Sequence, residues 1–300
     1  MSRHVSYSEL SDFRQCPHKH SLAYRQKWSA PEIPGAPTTV GSLFHEVMQA
    51  NYRLNHERVV DGLPERSVDA LTIVNLLHDA EGEQDVTQEL VEWMYQGYIE
   101  CYGGDSDWDI LESEKVSEIG LPIPGGTRKS PIKMKVKIDN LRRHRPTGLI
   151  WLWDYKTGKN FPNELGLEMD DQFPTYQWAY EQMGYTIEGV MFDFARTQKN
   201  KGPMELDNRF RRIPVFSPPE RLQYTAEAAW RTAKRISALN NTLPERTTSA
   251  RWCVERCKFT EPCLFGMKGG DEAEFMRSLG YTVYDHNAKE AAAEETSDDE

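Results

Sequence analysis

Hydrophobic spacing along the chain changes period part-way, and the elements follow from it. Near the N-terminus, Ser6-Tyr7-Ser8-Glu9 has the form of a capping box and predicts a short helix ending near Cys16-Pro17. The Pro/Gly-rich segment APEIPGAPTTVG follows, and a helical pattern then runs from Ser42 through His45 toward Tyr52. Between about residues 65 and 102 apolar positions return at helical spacing (Leu71, Val74, Leu77, then Leu90, Trp93, Met94), which predicts a helical block. From about residue 110 the period drops to two. Segments 110–123, 132–141, 149–155 and 186–195 read as four strands, with a helix near 171–183, closed by Gly184, between the last two. Ser217-Pro218-Pro219-Glu220 opens a further helix, on which Leu222, Ala226, Ala229, Ala233 and Ile236 form one apolar stripe. The expected fold is α/β, a central mixed sheet flanked by helices.

Two of the strands carry chemistry. In WLWDYKTGK (151–159) Trp151, Trp153 and Tyr155 share one face, and Leu152, Asp154 and Lys156 the other. In KMKVKID (133–139) Lys133, Lys135, Lys137 and Asp139 have one parity, while Met134, Val136 and Ile138 have the other. A hairpin turning at Pro146-Thr147-Gly148 would bring Asp139 and Asp154 within reach of one hard cation. Mg²⁺ or Mn²⁺ prefers such oxygen ligands, with phosphate as the usual third party. A lysine beside the ion can stabilise charge developing on phosphate or orient the attacking water. Taken singly, DxK is better read as a half-buried strand ending in an incidental ion pair.

Composition narrows the class without deciding it. A 300-residue chain with 38% hydrophobic and 11% aromatic residues is long enough for a large globular core. No apolar run approaches the roughly 20 residues of a membrane span, and MSRHVSYSEL lacks a signal-peptide core, so a cytoplasmic protein is expected. The net charge of −11 sets the chain as a whole against nucleic acid. Part of that charge is local to AKEAAAEETSDDE, which reads as a disordered acidic tail over 287–300. Between Arg128 and Arg145, by contrast, eight lysines and arginines face a single acid, Asp139. That basic stripe is either a nucleic-acid surface or a solvated face.

Cysteine use points to a second site. In a reducing compartment, Cys253, Cys257 and Cys263, spaced C-x₃-C-x₅-C, suggest a metal group and not disulfides. Three thiolates need a fourth ligand, for which Cys16 is the candidate, leaving Cys101 as a buried spare.

GSLFHEV, KID, DYKTGK and DQFPTYQ, in that order from Gly41 to Tyr176, resemble the RecB-type exonucleases of the PD-(D/E)XK nuclease superfamily. The resemblance implies a restriction-endonuclease-like core. It implies His45, Asp139 and Asp154 as ligands for Mg²⁺ or Mn²⁺, with the Tyr155 carbonyl completing the set and Glu114 as an outer ligand. Lys156 is then the lysine of the D/E-x-K pair. Gln172 and Tyr176 match the Q-x-x-x-Y motif, on one helix face toward DNA or the site's edge. Val136 stands where these enzymes usually carry glycine. One N-terminal and three C-terminal cysteines resemble the iron–sulfur clasp of AddB-type and CRISPR-associated members, with a four-iron, four-sulfur cluster or zinc as the bound group.

The activity so implied is a metal-dependent DNA exonuclease acting on single-stranded DNA or DNA ends in recombination, repair or CRISPR spacer processing. DNA would lie along Lys133, Lys135 and Lys137. The setting would be a bacterial or phage-infected cell, with recombination or CRISPR-adaptation proteins as partners, no membrane, and self-assembly compatible with a processive enzyme. The alternative is a catalytically weak or inactive DNA-binding adaptor with a structural cysteine–metal site. The expected organisation is one nuclease domain over 1–286, with a helical insertion at about 55–105, a core at about 110–200, a clasp of Cys16 with 253–263, and the tail 287–300.

Overall fold

The computed structural model describes residues 3–31, 37–60, 86–103, 105–126, 129–198, 205–239, 244–247 and 249–284. The first part of the expected helical block (65–85) and the acidic tail lie outside the described residues. The strands are β1 (Arg3–Ser6), β2 (Trp28–Ser29), β3 (Trp108–Ser113), β4 (Val116–Pro122), β5 (Lys129–Lys137), β6 (Asn140–His144), β7 (Ile150–Gly158), β8 (Ile187–Arg196), β9 (Phe210–Val215) and β10 (Thr282–Val283). With the helices that flank them they make a mixed α/β fold, and the chain divides into two compact units.

The first unit, residues 1–4 with 33–230, holds a five-stranded sheet of order β3-β6-β7-β8-β9. Only β7 and β8 run parallel, and the helix Gln172–Gln182 makes the crossover that a parallel pair requires. A second sheet has the order β1-β5-β4. Two of the expected strands therefore each divide. Segment 110–123 breaks at Glu114, whose φ of 51° turns the chain between β3 and β4. Segment 132–141 breaks after Lys137, and its halves join different sheets. Side-chain alternation survives the break after Lys137, so the sequence period alone cannot show that the strand changes partners there. The edge strand β9 escapes the period because FRRIPV alternates poorly and contains Pro214.

The β6–β7 hairpin forms with Asn140 opposite Trp153 and Leu141 opposite Leu152, which sets Asp139 beside Asp154. Gly148 supplies its turn at φ +73°, a conformation that favours glycine. Capping follows the sequence reading as well: the Ser6 hydroxyl accepts the Glu9 N–H at 3.1 Å and opens the helix Tyr7–Gln15. The helix expected from Ser42 starts earlier, at Pro37, and runs to Val60, because proline serves well in a first turn. Leu222, Ala226, Ala229, Ala233 and Ile236 are all buried on the helix Pro219–Ser237.

The main core packs Leu43, Phe44, Val47 and Met48 of the helix Pro37–Val60 against Val91, Met94 and Tyr98 of the helix Val86–Tyr102 and against Trp153 and Tyr155 of β7. Burial of each such side chain contributes about 1.5–3 kcal/mol. The aromatic face of β7 is not purely apolar, however. Arg142, which the sequence places in the basic stripe, is fully buried there. Its guanidinium lies 4.0 Å from the ring centres of both Tyr52 and Trp153, donates to Asp105 at 2.9 Å and also donates to the Tyr155 hydroxyl. Arg212 donates to Asp105 (2.7 and 2.8 Å), to Asp193 (3.0 Å) and to the Tyr98 hydroxyl (2.7 Å). The Trp153 indole N–H and the Tyr98 hydroxyl both donate to Asp193, at 2.9 and 2.6 Å. Arg143 and Arg145 do stay at the surface, paired with Asp109.

The second unit, residues 5–32 with 231–300, gathers short helices around a small core of Leu22, Trp28, Phe259 and Met276, beside the β2–β10 pair.

Burial alone would raise the Asp105 carboxyl, but the Arg142 and Arg212 guanidiniums outweigh it and hold the group below the usual carboxylate range. Its contribution to stability is therefore complete above its unfolded-state value and is lost as pH falls through the lower folded value. Asp105→Asn should destabilise the protein by about 3–5 kcal/mol at pH 7, since it leaves the buried Arg142 and the half-buried Arg212 short of a partner. Urea midpoints measured against pH should show this gap closing only well into the acid range.

Candidate active site

One cleft of the first unit, about 530 Å³ in volume, is lined by His45 and its helix neighbours Ser42, Glu46 and Gln49, by Glu114, Lys137 and Asp139, and by Lys156 and Thr157. Four elements meet there. The helix Pro37–Val60 brings His45, the β3–β4 turn Glu114, the β5–β6 junction Asp139, and β7 both Asp154 and Lys156. Gly41 lets helix and strand approach, since a Cβ there would lie 3.1 Å from the Thr157 hydroxyl oxygen.

Each acid has its own partner. Asp139 faces the His45 Nδ1 at 3.4 Å and accepts the Tyr155 backbone N–H at 2.6 Å. Asp154 holds the Lys156 ammonium at 2.9 and 2.7 Å through its two oxygens. Glu114 is in contact with the Lys137 ammonium. Burial would raise Asp139, yet the hydrogen bond and charge of His45, with Lys156 and the Tyr155 N–H, keep it below the usual range. Asp154 moves the other way: burial raises it, Asp139 adds to that, and Lys156 offsets only part. Lys156 is held above its ordinary value because Asp154 outweighs its burial.

The donor atoms of His45, Glu114 and Asp139 lie within 4.8 Å of one another. Carboxylates and an imidazole at that separation suit a hard divalent cation with bonds near 2.1 Å. Tyr176 lies close to the Asp154–Lys156 pair. Its hydroxyl is hydrogen-bonded to Gln172, and burial, then the Asp154 charge, push it up to about 12. The sequence-predicted residues thus converge, except that the lysine stripe leads away from the cleft along β5, where Lys133 pairs with Glu118 at 3.5 Å. Val136 is fully buried, on the side of β5 opposite the lysines. Glu46 and Gln49 are lining residues that sequence reasoning missed; their only signal is the helical spacing from His45.

In the second unit Cys16, Cys253, Cys257 and Cys263 line one cavity of about 620 Å³ with Leu22, Trp252 and Phe259. None forms a disulfide. The Cys16 sulfur accepts the backbone N–H groups of Lys19 and Thr247 at 3.4 Å each, and the Cys263 sulfur accepts from the Arg246 Nε at 3.0 Å. The four thiols share this one cavity, and the Cys263 sulfur lies near ligand atoms of His18 and Glu272, within 4.8 Å of one another. Cys101 sits apart, packed at the edge of the main core.

Among the described residues no helix is long and apolar enough to cross a membrane. The family model of the PD-(D/E)XK nuclease superfamily matches residues 4–264. No curated protein matches the chain. Among solved structures, a chain from Eubacterium rectale described as "Putative exonuclease" is similar, with a TM-score of 0.50 and 14% identity over 85% of this chain and 88% of that one. A second, SSO0001, is 15% identical over 77% of this chain and 87% of its own, with a TM-score of 0.33.

The Asp154–Lys156 pair has a measurable consequence for stability. Lys156→Met should cost about 1–3 kcal/mol by stranding a buried carboxylate. The double variant with Asp154→Asn should recover part of that loss, and a double-mutant cycle from urea unfolding reads the coupling.

Proposed function

The chain belongs to the PD-(D/E)XK nuclease superfamily, and from that premise we propose that it is a metal-dependent DNA exonuclease hydrolysing phosphodiester bonds of single-stranded DNA or DNA ends. The observation that carries the reading is the meeting of His45, Glu114 and Asp139 at one cleft with the Asp154–Lys156 pair. His45, Asp139, Asp154 and the Tyr155 carbonyl hold one or two Mg²⁺ or Mn²⁺ ions, with Glu114 as an outer ligand. The all-oxygen-and-imidazole donor set supports those ions over thiophilic ones. A divalent ion bound there supplies Lewis acidity and a water of lowered pKa.

The chain's own groups do the rest. Lys156, anchored on Asp154, presents its ammonium to the scissile phosphate and orients the attacking water. The Tyr155 N–H and His45 keep Asp139 ionised at neutral pH. Gln172 and Tyr176 steady the strand at the rim, and Lys133, Lys135 and Lys137 follow the DNA backbone. Val136, buried on the side of β5 away from the lysines, leaves that path open. DNA recombination, repair and CRISPR spacer processing all use such an activity, and proteins of those systems are its partners.

Cys16, Cys253, Cys257 and Cys263 hold a four-iron, four-sulfur cluster, or zinc, as a structural group of the second unit. The four unbridged thiols on one cavity support this.

End-labelled single- and double-stranded DNA should be shortened in Mg²⁺ or Mn²⁺ and left intact in EDTA. Asp154→Ala and Lys156→Ala should each lower the rate by about 100-fold or more; full activity in both would refute the assignment. A folded wild type that binds DNA without hydrolysing it in either ion would favour the adaptor reading.

For the clasp, Cys257→Ala should lower the melting temperature by several degrees and deplete bound iron or zinc, read by elemental analysis. Unchanged melting together with unchanged metal content would sink it.

A further inference from the structure

We propose that Lys137 occupies the cation's place at Glu114 in the DNA-free protein, so that metal binding at the cleft is coupled to DNA binding. A DNA phosphate draws the Lys137 ammonium away, and Glu114 then becomes available to the ion beside His45 and Asp139. This inference rests on the nuclease reading and adds an order of events to it.

Asp154, Asp139 and Glu114 each have a cationic partner, but not equally firmly held. Asp154 and Lys156 are neighbours on one strand, the ammonium donating to one carboxylate oxygen and in ion-pair contact with the other. Asp139 is fixed by a backbone N–H as well as by His45. Glu114 relies on Lys137, whose side chain is 58% exposed at the end of β5 while that of Glu114 is 11% exposed. The two partners differ in rigidity. Glu114 sits at φ 51°, uncommon for a residue with a Cβ, and its N–H donates to the Asp139 carbonyl at 3.0 Å. Its carboxylate is therefore aimed by the backbone. Lys137 carries a compact charge on a flexible four-carbon stem that reaches in from solvent.

A fixed carboxylate with an exposed, tethered counter-ion is an exchangeable pair. An ammonium at Glu114 repels a divalent ion at the neighbouring His45 and Asp139 and occupies a donor that the ion would use. Lys137 also shares the solvated face of β5 with Lys133 and Lys135, so a polyanion lying along that face competes for it. Release of Lys137 removes the repulsion and frees the donor together. By linkage, DNA must then raise metal affinity by the same factor by which metal raises DNA affinity.

The test measures Mn²⁺ binding by calorimetry on the full chain, with and without a short phosphorothioate single strand, subtracting the strand's own Mn²⁺ binding. Circular dichroism checks that each variant folds. Lys137→Met should bind Mn²⁺ at least about fivefold more tightly than wild type without DNA, within the range of ordinary coupling. It should also lose most of the enhancement that the strand gives the wild type, and the gain should vanish in the Lys137→Met/Glu114→Gln double variant. Unchanged DNA-free Mn²⁺ affinity in Lys137→Met, with weaker DNA binding alone, would make Lys137 a simple phosphate contact and overturn the proposal. If Asp139→Asn leaves Mn²⁺ binding at the wild-type level, the cation-site reading itself fails, and the proposal with it.

Discussion

Two guanidiniums and two buried carboxylates, the fully buried Arg142 and the half-buried Arg212 with Asp105 and Asp193, form the interaction on which the first unit depends. Arg142 stands on β6, Asp193 on β8 and Arg212 on β9, while β7 contributes Trp153 and Tyr155, and the helix Val86–Tyr102 contributes Tyr98. Four adjacent strands and a helix are thus cross-linked by directional bonds. The network is neutral overall, and an apolar substitute of equal volume could match it in stability. What apolar packing lacks is direction: each bond here favours one register, where a greasy face tolerates several.

That register is what the cleft needs. β7 is engaged from both sides, with the Tyr155 ring and hydroxyl in the network behind it while the Tyr155 N–H holds Asp139 in front. A slip of one residue would turn Asp154 and Lys156 toward Arg142 and present the aromatics to the cleft. The back of the strand is therefore part of the site's geometry, and the Tyr155 ring meets the His45 ring edge-on, 6.1 Å between centres.

The two units differ in ligand chemistry. Oxygen and imidazole donors gather at the cleft of the first, whereas in the second the Cys263 thiol stands with His18 and Glu272. Ligand type, more than raw affinity, selects among divalent cations at such sets. The acidic sum over the chain is a poor guide to this arrangement, because local fields at the cleft and along β5 are set by neighbours and not by net charge.

Much of this was legible in the chain. Capping at Ser6, the stripe on the helix Pro219–Ser237, the turn at Gly148 and the alternation that pairs Asp154 with Lys156 are local rules, satisfied within a few residues and so written in the sequence. The convergence of His45, Asp139 and Asp154 could be anticipated from the order of the motifs. Tertiary structure alone decided the rest. Alternation puts Arg142 on the parity of Met134, Val136 and Ile138, yet full burial of its charge depends on a partner such as Asp105, 37 residues away. Nor does alternation reveal that the chain changes sheets after Lys137, since both sides of that break keep the same period. Sequence determined which side chains share a face; long-range hydrogen bonding and charge pairing decided what each face meets.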